Sequence, residues 1–390
     1  MAGGTVKALC ALLIASLFGV VVASAANPRW CDSLHHRVSV EVRPAYHMAS
    51  HYVMRQSEHP LSSTLSLHAR YSFSYSEDSR MGELFPTAYQ GVGVAAYTYW
   101  NHDLMGTPMA VYIFQGARIA DLTPILSVGY EWNLGYSWGW HPNDAMNSRG
   151  NVMINVAIPF AWRVGDRWEL SFTPDFTHFS NGDTHFSNAG SNMFGLRLGV
   201  SYLFSDERIE ASARRFIALS EELMNRSFAQ RVTYDIVAYG GWRADRFIEG
   251  GTFYYVDKAL PIAGINFQPT YHLNDYFGIG ASLDVQLDSS LNLYGGVKDD
   301  AGNTIAYMRP TLWEQTEVGL SVRGEISAPI FTVGVGIGVN MHDVGYDMSR
   351  FYTTFSLKAH VTRQLFLYVG YRFNSTQYTH NLMYGIGIRL

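Results

Sequence analysis

His178 and Ser180 stand two residues apart in the run Phe176–Ser191 (FTHFSNGDTHFSNAGS), and Asn192 follows it directly. An imidazole beside a hydroxyl is the core of nucleophilic ester hydrolysis. The serine oxygen attacks, the histidine takes its proton, a third group orients the histidine, and nearby donors stabilise the oxyanion. In a strand, residues two apart point the same way, so His178 and Ser180 can stand side by side. Asn192, back across a hairpin, can accept from the other ring nitrogen. Asn181, Gly182 and the backbone of that turn are candidates for the oxyanion site. The reading needs no cofactor. Taken alone, H-x-S is a weak signal, because histidine and serine also solvate strand ends. The echo THFSN at Thr184–Asn188 offers His185 and Ser187 as rivals, but spacing to Asn192 and strand continuity favour the first pair.

The elements that must position these groups are two strands. One alternates Trp168, Leu170, Phe172, Pro174 and Phe176 against Glu169, Ser171, Thr173, Asp175 and Thr177, and His178 and Ser180 continue its apolar face. The returning strand sets Phe194, Leu196, Leu198, Val200, Tyr202 and Phe204 against Gly195, Arg197, Gly199 and Ser201, and Asn192 shares the apolar parity. Polar groups facing outward at the rim of a membrane barrel are costly unless they act on something in the lipid.

The chain as a whole supports that setting. Lys7, the apolar stretch from Ala8 to about Val22 and Ala23-Ser24-Ala25 read as a secretory signal over residues 1–25. Apolar residues make up 47% of the chain, yet beyond the signal no stretch approaches the roughly 18 apolar residues of a spanning helix. With 36 Gly, 25 Tyr, 22 Phe and only 16% charged residues, dispersed over alternating segments, the composition fits a bacterial outer-membrane β-barrel better than its competitor, a secreted β-sandwich. Cys10 lies in the signal and leaves Cys31 single, so no disulfide framework is expected. A net charge of -5 gives no basic footprint for nucleic acid.

Strands are expected near 37–47, 63–75, 89–100, 108–118, 124–136, 151–163, 167–180 and 192–204, then near 229–241, 259–271, 276–288, 314–327, 330–341, 350–362, 364–373 and 382–390. Short turns alternate with long loops, which sends the His178 strand outward and puts its functional end at the outer leaflet. The segment 76–88 fits this scheme poorly. RVSVEVRPAY (Arg37–Tyr46) resembles RVTYDIVAYG (Arg231–Gly240), and YQGVGVA (Tyr89–Ala95) resembles YFGIGAS (Tyr276–Ser282). PILSVG (Pro124–Gly129) resembles PIFTVG (Pro329–Gly334) in the same order, so two halves read as copies. The second carries RFNST (Arg372–Thr376) where the first has HFSN. The expected organisation is a first half at 26–204, a periplasmic linker at 205–227 with a helix over Ser205–Asn225, and a second half at 228–390 lacking the HxSN motif. The fold class is an all-β transmembrane antiparallel barrel of about 16 strands in two eight-strand halves. A single ring is favoured, with two tandem eight-stranded barrels as the alternative.

His178, Ser180 and Asn181, with the stretch from Tyr89 to Phe204 that includes GYEWNLGYSW (Gly129–Trp138), resemble the outer-membrane lipid A 3-O-deacylases (PagL) and the related acyloxyacyl hydrolase-like group. The resemblance implies a Ser-His-Glu triad on the membrane-facing wall of an eight-stranded barrel, removing the ester-linked acyl chain at position 3 of lipid A. It assigns the base to His178 and the nucleophile to Ser180, adds Asn188 and Gly190 as support beside Asn181 and Gly182, and sets Asn192 where the family has glutamate. An amide can hold a tautomer but cannot offer an imidazolium a full negative charge. The partners implied are lipid A of lipopolysaccharide in the outer leaflet and the barrel assembly machinery, with acyl chains lying along Phe172, Phe176, Phe194 and Leu198. The competing readings are a catalytically weak or inactive barrel acting as a channel or surface-binding protein, and an outer-membrane phospholipase.

Other polar residues read more plainly. Glu41, Arg43, His68, Arg70, Glu131, Glu169, Asp175 and Arg197 have inward parity and are expected to form a satisfied interior. Trp138, Trp140, Trp162, Trp168 and Tyr202 read as interfacial belt residues. His141, Asp144, Asp299 and Asp300 fall in predicted loops, and no zinc spacing, phosphate loop or redox motif is found.

Overall fold

The computed structural model describes residues 34–48, 61–143, 146–185, 190–204, 225–244, 246–249, 252–256, 258–298, 304–342, 344, 349–374 and 380–390. The expected signal over 1–25 lies outside these residues, as do Cys31, Asp144, Ser187, Asn188, Asp299, Asp300 and the expected linker helix up to residue 224. The chain divides into two compact units, each described by itself.

The first unit contains β1 (Leu34–Met48), β2 (Ser63–Tyr75), β3 (Ala88–Thr98), β4 (Gly106–Thr123), β5 (Leu126–Trp140), β6 (Gly150–Ala157), β7 (Phe160–Val164), β8 (Trp168–Ser180) and β9 (Ser191–Leu203). All pairings are antiparallel. β9 returns to β1 and β4 pairs with β5, so the sheet closes and leaves no edge. β6 and β7 together fill one place in the ring, between β5 and β8. The sequence predicts one strand there, over 151–163. Pro159, without an N–H, interrupts it, while Ile158 faces Pro174 and its amide still donates to Pro174 O at 3.0 Å. Segment 76–87 carries a short helix, Arg80–Leu84, capped by Ser79.

Alternation decides what lies inside. Arg70 binds Glu41 at 2.5 Å and Glu131 at 2.6 Å, while Arg197 binds Glu41 at 3.2 Å, Glu131 at 2.8 Å and Asp175 at 3.3 Å. Arg43 joins Asp175 at 2.5 Å, and Glu169 pairs with Arg37 at 3.0 Å. Each buried charge thus meets an opposite one, since a buried charge left alone costs several kcal/mol. His68 is satisfied too, by Tyr112 Oη at 2.9 Å and Ser66 Oγ at 3.0 Å. The polar interior expected from parity is present. Toward the β8–β9 hairpin the lumen is packed by Tyr97, Tyr99, Trp140, Met153, Phe179 and Met193. Trp140 is a correction: expected at the membrane interface, it is 1% exposed and donates Nε1–H to Ser137 Oγ at 2.8 Å. Gly139, at φ +87, breaks the alternation after the exposed Trp138 and turns the next side chain inward.

The second unit closes a ring of its own through β10 (Val232–Arg243), β13 (Leu260–His272), β14 (Phe277–Asp288), β17 (Thr316–Ser327), β18 (Phe331–Asn340), β19 (Phe351–His360), β20 (Leu365–Asn374) and β21 (Asn381–Arg389). Two hairpins the sequence did not signal, β11 (Arg246–Glu249) with β12 (Thr252–Tyr255) and β15 (Tyr294–Lys298) with β16 (Thr304–Met308), ornament its long connections. Inside, Lys358 reaches Asp235 at 2.7 Å and also Glu325, Arg323 binds Asp284 at 2.6 Å, and Arg372 binds Glu317 at 3.3 Å. β1 and β10 hold the same place in their rings, each pairing with the second strand and the last. The two halves therefore close as two tandem rings of eight strand places each, and the favoured single ring is not formed. Eight strands enclose little more room than side chains occupy, and packed clusters cross both interiors, around Tyr97, Tyr99, Trp140 and Phe179 in the first and Tyr239, Phe366 and Tyr368 in the second.

Candidate active site

His178 ends up on the outer wall because β8 keeps its period of two to its last residue. Thr173, Asp175, Thr177 and Phe179 turn inward and are buried, Phe179 at 0% exposure, while Phe172, Phe176, His178 and Ser180 share the other face. β9 returns in a register that sets Asn192 directly opposite His178 and Phe194 opposite Phe176. His178 Nδ1 lies 2.7 Å from Asn192 Oδ1. An amide oxygen has no proton to give, so Nδ1–H is the donor. The other nitrogen, Nε2, is then the basic one. Ser180 is about 7 Å further along the same face, counted from Cα to Cα.

Gly190 is shaped by the same ring. It lies at φ +70, and a Cβ there would sit 2.8 Å from both His178 Cε1 and Phe179 O. Only glycine lets the backbone turn and pass this close to the imidazole. Asn192 is anchored from behind by its neighbour Ser191, which points inward. Ser191 Oγ lies 3.1 Å from His47 Nε2 and 3.2 Å from Tyr99 Oη, and His47 Nδ1–H donates to Leu61 O at 2.8 Å.

Across four neighbouring strands, register builds rows of outward side chains. Met48, Asn192, His178 and Ile154 form one row, and Tyr46, Phe194, Phe176 and Val156 the next. Leu198 and Phe172 face each other one row beyond Leu196 and Pro174. The rings of Phe176 and Phe194 are 5.0 Å apart. Phe194 is 56% exposed and Ile154 45%, so the wall below the polar pair is a continuous apolar surface. A separate cavity of about 400 Å³, lined by Arg37, Glu41, Arg70, Glu131 and Glu169 among others, lies inside the ring and includes neither His178 nor Asn192.

The chain also has counterparts among known families. The model of the lipid A 3-O-deacylase (PagL) family matches residues 63–201, and that of the acyloxyacyl hydrolase C-terminal domain matches residues 232–390. The chain belongs to this PagL and acyloxyacyl hydrolase family. It is accordingly a barrel protein of the bacterial outer membrane and a member of a hydrolase family. A comparison with curated proteins finds no match. Solved structures similar to it include Neisserial surface protein A, at 12% identity and a TM-score of 0.30 over 43% of this chain and 96% of that one. Another is the Yersinia pestis outer membrane protein Ail, at 14% identity and a TM-score of 0.24 over 41% and 99%. The Acinetobacter baumannii outer membrane protein Omp33 aligns at 8% identity and a TM-score of 0.17 over 91% and 98%.

Within this family member, the structure brings together His178, Asn192 and Gly190, and joins Phe172, Phe176, Phe194 and Leu198 into one wall. Asn181 and Gly182 follow Ser180 at once, with Gly182 at φ +67. Asn188 lies outside the described residues. The rival His185 is exposed, and its Nδ1 lies 3.3 Å from Thr184 Oγ1. Sequence reasoning passed over Tyr46, Met48, Ile154 and Val156 as wall residues. Parity within β1 and β6 carried that signal, but only the ring order says which strands flank β8 and β9.

Proposed function

We propose that the chain is an outer-membrane serine esterase that removes an ester-linked acyl chain from lipid A, with Ser180 as nucleophile, His178 as general base and Asn192 as its orienter. The observation that carries this reading is the 2.7 Å contact of His178 Nδ1 with Asn192 Oδ1 on the outward face, one row above an apolar wall. The substrate enters sideways from the outer leaflet, its acyl chain along Phe172, Phe176, Phe194 and Leu198. Ser180 Oγ attacks the acyl carbonyl as its proton passes to His178 Nε2. The oxyanion forms beside the backbone donors of Asn181 and Gly182, with Asn188 and Gly190 in support. The carbon–oxygen bond to the sugar then breaks, and the departing alkoxide takes the proton from His178. Water, activated by the same imidazole, releases the fatty acid from Ser180.

Asn192 sets a limit on the rate. It holds the tautomer but leaves the imidazolium without a full counter-charge, so slower turnover than in a glutamate-bearing relative is expected. The hydrolase assignment is tested with a fluorophosphonate probe on the purified chain followed by peptide mass spectrometry. Labelling at Ser180 that disappears in His178→Ala is expected. Labelling confined to another serine, or none, would contradict it.

A further inference from the structure

We infer that Asn192 also selects the substrate, by donating its amide N–H groups to a carbonyl oxygen next to the ester being cleaved. This rests on the esterase reading above and deepens it. Asn192 Oδ1 is committed to His178 Nδ1–H, which directs Nδ2 away from the ring. Its two N–H groups have no partner among the described residues. The neighbours in the row and below it, Met48 and Phe194, present a thioether and an aromatic ring, and both are largely exposed on the outer wall. In an apolar surround, an amide without an acceptor is costly, so a lipid that brings an acceptor is favoured over one that does not. The glutamate of the family pattern differs here in kind: an ionised carboxylate accepts only. The exchange of carboxylate for amide therefore weakens support for the imidazolium and adds a donor at the site where the acyl chain leaves. A substrate that fits is an acylated amino sugar, in which an amide carbonyl and the scissile ester sit on adjacent ring carbons.

The test uses the full chain in detergent micelles and two synthetic substrates, a 2-acylamido-3-acyloxy glucoside and the same ester without the amide. Wild type should show a KM about tenfold lower for the amide-bearing ester, the weight of one hydrogen bond. Asn192→Asp is isosteric, restores a charge and removes the donors. It should raise kcat and bring the two KM values together. Binding of the two corresponding ethers, which cannot be hydrolysed, is measured alongside, with folding checked by gel mobility. An unchanged KM ratio and equal ether affinities in wild type would overturn the inference while leaving the esterase standing. Ether discrimination lost in Asn192→Asp, with neither ester hydrolysed, would support the donor role and remove the esterase reading.

Discussion

Gly190 shows how a single residue carries the site. An added methyl group would meet the His178 ring and the Phe179 carbonyl at 2.8 Å, in a backbone conformation that L-residues rarely adopt. Gly190→Ala should therefore displace the imidazole by a few tenths of an ångström or more and lower ester hydrolysis roughly a hundredfold. Heat-modifiable gel migration of the barrel should persist; retained activity would mean the ring is not held where the structure has it. The residue types were legible in advance. His178, Ser180 and Asn192 declare themselves by spacing, and Gly190 entered only through resemblance to the family motif. Its reason, a close approach to the histidine, belongs to three dimensions and has no trace in the linear pattern.

At the scale of elements, the β8–β9 hairpin holds its outer chemistry because its inner face is pinned. Asp175 receives Arg43 at 2.5 Å and Arg197 at 3.3 Å, and Asn155 Nδ2 donates to it at 3.1 Å. Asp175→Asn leaves the buried Arg43 without a counter-charge and Arg197 with only Glu41 and Glu131, so the temperature at which the folded form is lost should fall by an amount equivalent to about 3 kcal/mol. Arg43→Met combined with Asp175→Asn should recover part of that loss, and a double variant no better than the single would count against direct pairing. Strand positions and facing were readable because the period of two runs unbroken through β1, β2, β8 and β9. It failed where the backbone departs from the ideal strand. Gly139 reverses the phase and buries Trp140, and the prolines at 159 and 174 split one predicted strand.

At the scale of the molecule, the repeat was visible in sequence, but closure was not. Two halves with matching strands are compatible with one wide ring or two narrow ones, and the choice depends on whether β9 finds β1 and β21 finds β10. Both do. Eight-stranded interiors crossed by packed aromatic clusters predict that the chain reconstituted in planar bilayers passes no steady open-channel current, and a stable one would revive the channel reading. The central claim, that an outward-facing serine and histidine cleave lipid A, is tested most directly by mass spectra of lipid A from cells expressing the chain or its Ser180→Ala form. The account predicts the loss of one ester-linked acyl chain with the first and none with the second, whereas identical spectra would contradict it.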